Sequence, residues 1–307
     1  MISNKSFDIP CFVCHTGVMQ NYGSLESHLI ESLAGMTPDD MMTRRDAELT
    51  YAEHRSTFGF AKTAGKLLSD EGENEKLAKG EGVALIMLAL APHSASGIAD
   101  VCPFSTESCR AHCVAFSGNG LFPAVLRARQ ARTAFLVGDP RAFVSLLVHT
   151  LDRELNKRDL AVRLNGFSDI RWERVLPAWF WDRYSDVQFY DYTKHSVRSR
   201  PVATMPAKYA LTYSVTERST ATGIAREVAS GRSVAVVVDV KGGKPRGASE
   251  LRPLPFAGMV DGDTNDRRFD DPGGSVVALR YKGSLRSGDP LVVNNDRLAA
   301  IMAGVNG

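Results

Sequence analysis

Three cysteines lie close together in the chain, at Cys102, Cys109 and Cys113, with the spacing Cys-x6-Cys-x3-Cys. Thiolates are the soft ligands that iron–sulfur centres and zinc use. Three of them can hold three irons of a [4Fe–4S] cluster and leave the fourth iron open to a substrate or cofactor, whereas four protein ligands suit electron carriage. A structural zinc site is an alternative, with His112 or the Cys11–Cys14 pair as further ligands. A third reading is three buried thiols that bind nothing. His112, directly before Cys113, reads as an ordinary helix residue pointing away. Cys11-x2-Cys14, followed by His15, is a weaker pattern, open to a second metal, to a fourth ligand for the first, or to no special role.

The wider composition narrows the chemistry. The chain has 307 residues, of which 44% are hydrophobic, enough for one large core or two modest ones. Five cysteines, an odd number, argue against a disulfide framework. Residues Met1 to Ser6 carry no basic segment followed by an apolar stretch, so the expected compartment is the cytoplasm. No apolar run reaches the roughly 18 residues of a membrane span, so no membrane partner is expected. A net charge of +2 gives no global electrostatic reason to bind nucleic acid. Arg127, Arg129, Arg132 and Arg141 cluster after the cysteines and read as a solvated helix face or a phosphate-facing one.

These residues need elements to position them. After Gly82 short apolar runs recur: Val83–Ala91, Asp159–Leu164, Val187–Tyr190, Tyr209–Val215, Val234–Val240 and Val276–Tyr281. Runs rich in β-branched residues predict strands buried on both faces, as in parallel sheets. Between them, Phe122–Val137, a segment from Asp139-Pro140 towards Asn156, Trp172–Tyr184 and Ser219–Ser230 predict helices. The alternation predicts an α/β fold with a parallel sheet, closing partly into a barrel or staying open. Residues 1–82 read as an N-terminal extension packed on the 83–307 domain, with a loosely helical Thr43–Leu68 and an exposed linker over Ser69–Gly82. Lys241–Gly274 is a Gly-, Pro- and Asp-rich insertion. Within it, Asp261-Gly262-Asp263 has only part of a calcium loop, and Asp266, Arg267 and Arg268 read as solvated or substrate-facing.

In parallel α/β folds ligands gather at the carboxyl ends of the strands. That rule puts the cysteine segment in the loop after the first buried strand. It also selects Asn165, Ser168 and Asp169 after the second strand and Tyr192, Thr193 and Lys194 after the third. Ser214 and Glu217 follow the fourth, and Asp239 and Lys241 the fifth. Lys194 could pair with an anionic substrate or with Asp169. For any one of these residues, capping the next helix is an equal explanation; as a set they suggest a shared ligand site.

At these positions the sequence resembles the gene product 88 family of phage and plasmid proteins. The family pattern has a Cys-Pro start, two further cysteines and an aromatic-Ala pair after the last. Here these are Cys102-Pro103, Cys109 and Cys113, with Val114-Ala115 in place of the usual Tyr-Ala. A strand ending in a small-polar-Asp segment matches Arg163 to Asp169, an aromatic strand ending in Tyr-Thr-Lys matches Phe189 to Lys194, and a later Ser matches Ser214. The resemblance spans roughly residues 83 to 240. Members often carry a further cysteine cluster near the C-terminus, and this chain has no cysteine after Cys113.

The family's layout is similar to that of radical S-adenosylmethionine enzymes, which place three cysteines after the first strand of a partial barrel. Those enzymes use Cys-x3-Cys-x2-Cys, and no clear glycine-rich methionine-binding segment follows here. The resemblance thus implies a partial (β/α) barrel of about six strands holding a [4Fe–4S] cluster that activates S-adenosylmethionine or a small-molecule or nucleotide substrate. Asp169 and Lys194 are the expected catalytic groups. The alternative function is a zinc-stabilised nucleic-acid-binding protein with a basic groove of Arg127, Arg129, Arg132, Arg198 and Arg200.

Overall fold

The computed structural model describes residues 24–69, 83–243 and 250–306; Cys11, Cys14, His15 and nearly all of the expected 69–82 linker lie outside the described residues. The chain begins with helices α1 (Leu25–Leu33) and α2 (Arg44–Thr57) and strands β1 (Leu68–Ser69) and β2 (Ala84–Leu88). A short helix α3 (Glu107–Ala111) precedes α4 (Pro123–Gly138), α5 (Pro140–Leu155) and β3 (Leu160–Arg163). Helices α6 (Trp172–Val175) and α7 (Ala178–Arg183) lead to β4 (Gln188–Thr193) and β5 (Tyr209–Ser214). The rest comprises α8 (Ala221–Ala229), β6 (Ser233–Lys241), β7 (Val260–Asp261), β8 (Val276–Tyr281), β9 (Val292–Val293) and α9 (Asn295–Asn306).

Local chemistry accounts for these elements. All five residues of β2 are buried, as an uninterrupted apolar run requires. Thr43 caps α2 by accepting the Asp46 N–H, and Thr220 caps α8 by accepting the Gly223 N–H. Pro123 and Pro140 open α4 and α5, at the one helical position where a missing N–H costs nothing. The single helix expected over Trp172–Tyr184 is instead two, because Pro177 cannot donate to the helix and biases Leu176 to an extended backbone.

The sheet runs β1-β2-β3-β4-β5-β6-β8-β7, with β9 pairing on β6. All six strands expected from the apolar runs are present. Every pairing is parallel except β1 with β2. Among the described residues the sheet is not closed, with β1 and β7 as its edges. β1 occupies the β2 edge that a closing strand would need. The N-terminal extension is therefore part of the sheet and of the core. Its Leu29, Leu33, Ala47 and Tyr51 are buried in the largest apolar cluster, beside Phe135, Phe143 and Trp172. Each such fully buried aliphatic or aromatic side chain contributes about 1.5–3 kcal/mol.

The two faces of the sheet differ. Ile86, Val162, Phe189 and Leu211 point into the helix-covered cluster, and Val234, Val236 and Ala278 continue that face beneath α8 and α9. The opposite face carries Leu85, Met87, Ala161 and Tyr190, which pack on Phe269 from the insertion. Asp266 of the insertion binds Arg163 at 2.8 Å. The insertion thus covers a sheet face; Asp266 and Arg268 are buried, and Asp261 and Asp263 clamp Arg280. No single helix among the described residues is long and apolar enough to cross a membrane.

Candidate functional site

The loop after β2 arches across the carboxyl ends of the strands and touches nearly every other loop there. Val101 O accepts the Asp169 N–H, and Cys102 Sγ lies 3.3 Å from Phe167 O, tying it to the loop after β3. The Phe104 ring lies 4.3 Å from that of His195 after β4, tilted by 55°. Thr106 Oγ1 donates to Glu217 Oε2 at 3.0 Å after β5. His112 meets Ser284 at 2.8 Å and Asp289 at 3.2 Å after β8. His93, where the arch begins, adopts a positive φ of 39°, a costly backbone for a residue with a side chain. That backbone aims the His93 N–H at Cys102 Sγ, 3.4 Å away.

Cys102, Cys109 and Cys113 are all free, half-buried thiols beneath this arch. Burial pushes the Cys102 thiol up to about 12, and the fields of Cys113 and Asp169 add to the rise. Burial likewise raises Cys113, with Cys109 adding to it while Lys194 and Arg129 oppose. Lys194 sits among them. Burial works against its ammonium, but Cys109, Asp169 and Cys102 outweigh that and hold its pKa above the ordinary lysine value. Cys102 thus lies in the field of Cys113, Cys113 in that of Cys109, and Lys194 in those of Cys109 and Cys102. Among the described residues no three Cys, His, Asp or Glu groups stand around a common point at ligating distance.

The other expected site residues divide into two groups. Tyr192, Lys194 and Ser214 lie on the sheet face away from the helices, at the strand ends, and the Arg163 guanidinium lies 4.9 Å over the Tyr192 ring. Asn165, Ser168 and Thr193 are instead buried scaffolding. Asn165 Oδ1 accepts from Ser168 Oγ, Ile170 N and Trp172 Nε1, and its Nδ2 donates to Ile170 O and Asp191. Asp169 joins the groups: it accepts the Thr193 hydroxyl at 2.7 Å and the Lys194 N–H at 2.7 Å, so it fixes the residue that carries the ammonium. Glu217 holds the arch through Thr106. His112 points away from the thiols, engaged with Ser284 and Asp289.

Several residues of the site are not separately marked in the sequence. Asp191 is wholly buried and takes hydrogen bonds from Asn165 and from Tyr209 Oη. Burial raises it to about 6 despite these donors. His195 is buried against Asp169 O, and burial lowers its pKa. Arg200 is buried and pairs with Glu173 at 2.7 Å. The Tyr-Thr-Lys motif is the available signal, since Asp191 and His195 flank it.

The expected basic groove does not form as a surface. Of its five arginines, Arg129, Arg132 and Arg200 are buried. Arg129 donates to Ala115 O and lies over Phe167, and Arg132 donates to Lys66 O and Ala89 O. They pin the arch and the β1 lead-in to α4. Arg141 donates to Ser32 O and Ala34 O.

A family model described as gene product 88 matches residues 65–296, which includes the arch and every strand end named above. No curated protein and no solved structure matches the chain.

Proposed function

The chain belongs to the gene product 88 family, and we propose that it is an iron–sulfur enzyme of phage or mobile-element type. Cys102, Cys109 and Cys113 would hold three irons of a [4Fe–4S] cluster. The observation that carries the reading is that three free, half-buried thiols occupy a single loop at the strand ends, with half-buried Lys194 in their field. Three thiols would leave one iron without a protein ligand, but among the described residues they do not stand around one ligating point, so a cluster would have to draw them together. Ser108 Oγ and His93 Nε2, buried in the same loop without hydrogen-bond partners, are further polar atoms that a bound group would satisfy. Helices on only one face of the open sheet support a partial (β/α) barrel as the finer description of the fold.

When bound, such a cluster supplies a centre that coordinates substrate or S-adenosylmethionine at its open iron. The chain's own residues do the remaining work. The thiols must lose their protons, and the Lys194 ammonium stabilises the resulting anions. Asp169 and Thr193 hold the Lys194 backbone still. Tyr192, Ser214 and Lys194 line the face where an anionic or hydroxylated ligand is positioned. The Phe104 ring on His195 excludes water from one side. The zinc-stabilised nucleic-acid alternative loses its groove to the burial of Arg129, Arg132 and Arg200.

Anaerobic purification with iron and sulfide analysis tests the proposal. The expected result is a brown protein with about four irons and four sulfides per chain, and near-complete loss of both in Cys102→Ser, Cys109→Ser or Cys113→Ser. A colourless protein that stays iron-free after reconstitution overturns it, and stoichiometric zinc without iron transfers the assignment to a structural zinc site.

A further inference from the structure

A cavity of about 460 Å³ opens on the helical side of β1 and shares no lining residue with the thiol site. The first turns of α2 supply Arg44, Arg45 and Glu48, the segment leading into β1 supplies Lys62 and Lys66, and α5 supplies Arg153. Five cationic side chains therefore surround one concavity with a single carboxylate among them, in a chain whose net charge is only +2. Two of the five are shared with acids: Arg44 with Glu48 at 2.8 Å and Arg153 with Glu154 at 3.2 Å. Arg45 and Lys62 have no carboxylate partner among the described residues. Like charges facing one concavity repel one another and concentrate anions there.

The remaining lining is mostly apolar, with Thr63 and Thr150 as its polar members. Leu67 and Leu146 form a buried floor, and Leu49 stands at the rim with 55% of its surface exposed, although it is a large apolar side chain. Cations at the mouth and an apolar floor suit a ligand that is anionic at one end and flat and apolar at the other. Guanidinium groups match phosphate oxygens in pairs, and the volume falls in the range of small-molecule sites. Cations gathered around one concavity suit a free ligand better than a long strand, which calls for an extended basic track.

From this geometry we infer that the cavity between α2, α5 and the β1 lead-in binds a free mononucleotide-like phosphoester, its phosphates on Arg45, Lys62 and Arg153 and its ring over Leu67 and Leu146. The site is independent of the cysteines and of any cluster.

Isothermal titration of the intact chain with ADP, and separately with inorganic pyrophosphate, tests it. The expected result is saturable one-site binding of ADP below about 1 mM, with weaker binding of pyrophosphate, which lacks the ring. Arg45→Glu with Lys62→Glu should weaken ADP roughly tenfold or more without moving the thermal midpoint by more than about 2 °C, both side chains being exposed and unpaired. Lys194→Ala should leave ADP affinity unchanged. ADP should also slow amide exchange over residues 62–67 in the unaltered chain. Absence of saturable binding, or binding lost in Lys194→Ala but kept in the double variant, overturns the inference. So does a short single-stranded oligonucleotide that binds more tightly than ADP through the same arginines.

Discussion

Asn165 shows how a residue that reads as a ligand group becomes a structural one. Its side chain makes five hydrogen bonds, to Ser168 and twice to Ile170 in its own loop, to Trp172 of α6 and to Asp191 of β4. None of its polar atoms is left to face a substrate. Replacement by Ala strands the Ile170 N–H and the Trp172 indole N–H in a buried setting, each at about 1–3 kcal/mol. Asn165→Ala should therefore lose about 3 kcal/mol in urea unfolding. A loss below about 1 kcal/mol would mean that the loop is held by other contacts. Lys194 is the converse case. Its backbone is fixed by Asp169, and its ammonium lies in the field of Cys109, Asp169 and Cys102, which is where charge is needed if the thiols are to become anions.

At the scale of elements, the site depends on how closely β3's loop can approach β2. Gly166 donates its N–H to Leu88 O at 3.0 Å. A Cβ at this position would stand 2.6 Å from Met87 Cγ and Sδ and 2.7 Å from Leu88 O. The Met87 side chain can give way, whereas the Leu88 carbonyl belongs to the sheet and cannot without moving β2. Gly166→Ala should lower stability by about 2 kcal/mol and, because this loop carries Phe167 against Cys102, reduce iron incorporation as well. Unchanged stability and full iron content would show that the approach is looser than it looks. The same scale explains the broken helix at Leu176-Pro177 and the open sheet. In each case one local group, a proline or an added edge strand, decides the outcome.

The whole molecule has two apolar clusters that share the helix-covered face and meet at β5, where Tyr209 and Leu211 belong to one and Tyr213 to the other. Between sheet and helices lies buried Asp191, raised by burial to about 6 from the usual value near 3.9. The folded protein therefore holds a proton here that the unfolded chain releases. The stabilisation from that proton is present at about pH 4 and is lost as the pH rises through about 6. Asp191→Asn removes this titration. In urea unfolding at several pH values, the stability difference between the unaltered chain and Asp191→Asn should shrink between about pH 4 and pH 6. Parallel curves across that window would contradict the assignment. The variant should also be less stable throughout, because one amide oxygen must replace a carboxylate that accepts from Tyr209 and from both nitrogens of Asn165.

Periodicity and residue type were enough to find the six principal strands, the helices between them and the parallel order of the sheet, because those features follow from short-range apolar patterning. The cysteine spacing and the strand-end rule were enough to bring Cys102, Cys109, Cys113, Asp169 and Lys194 to one end of the sheet. Only the tertiary structure decided which polar residues stay at the open strand ends and which turn to the core. Asn165 and Thr193 turned inward, and Arg129, Arg132 and Arg200 left the surface, because buried carbonyls and carboxylates elsewhere in the chain needed partners. That demand is set by distant segments meeting in space, such as Ala115 with Arg129 or Glu173 with Arg200. No local pattern in the sequence encodes it.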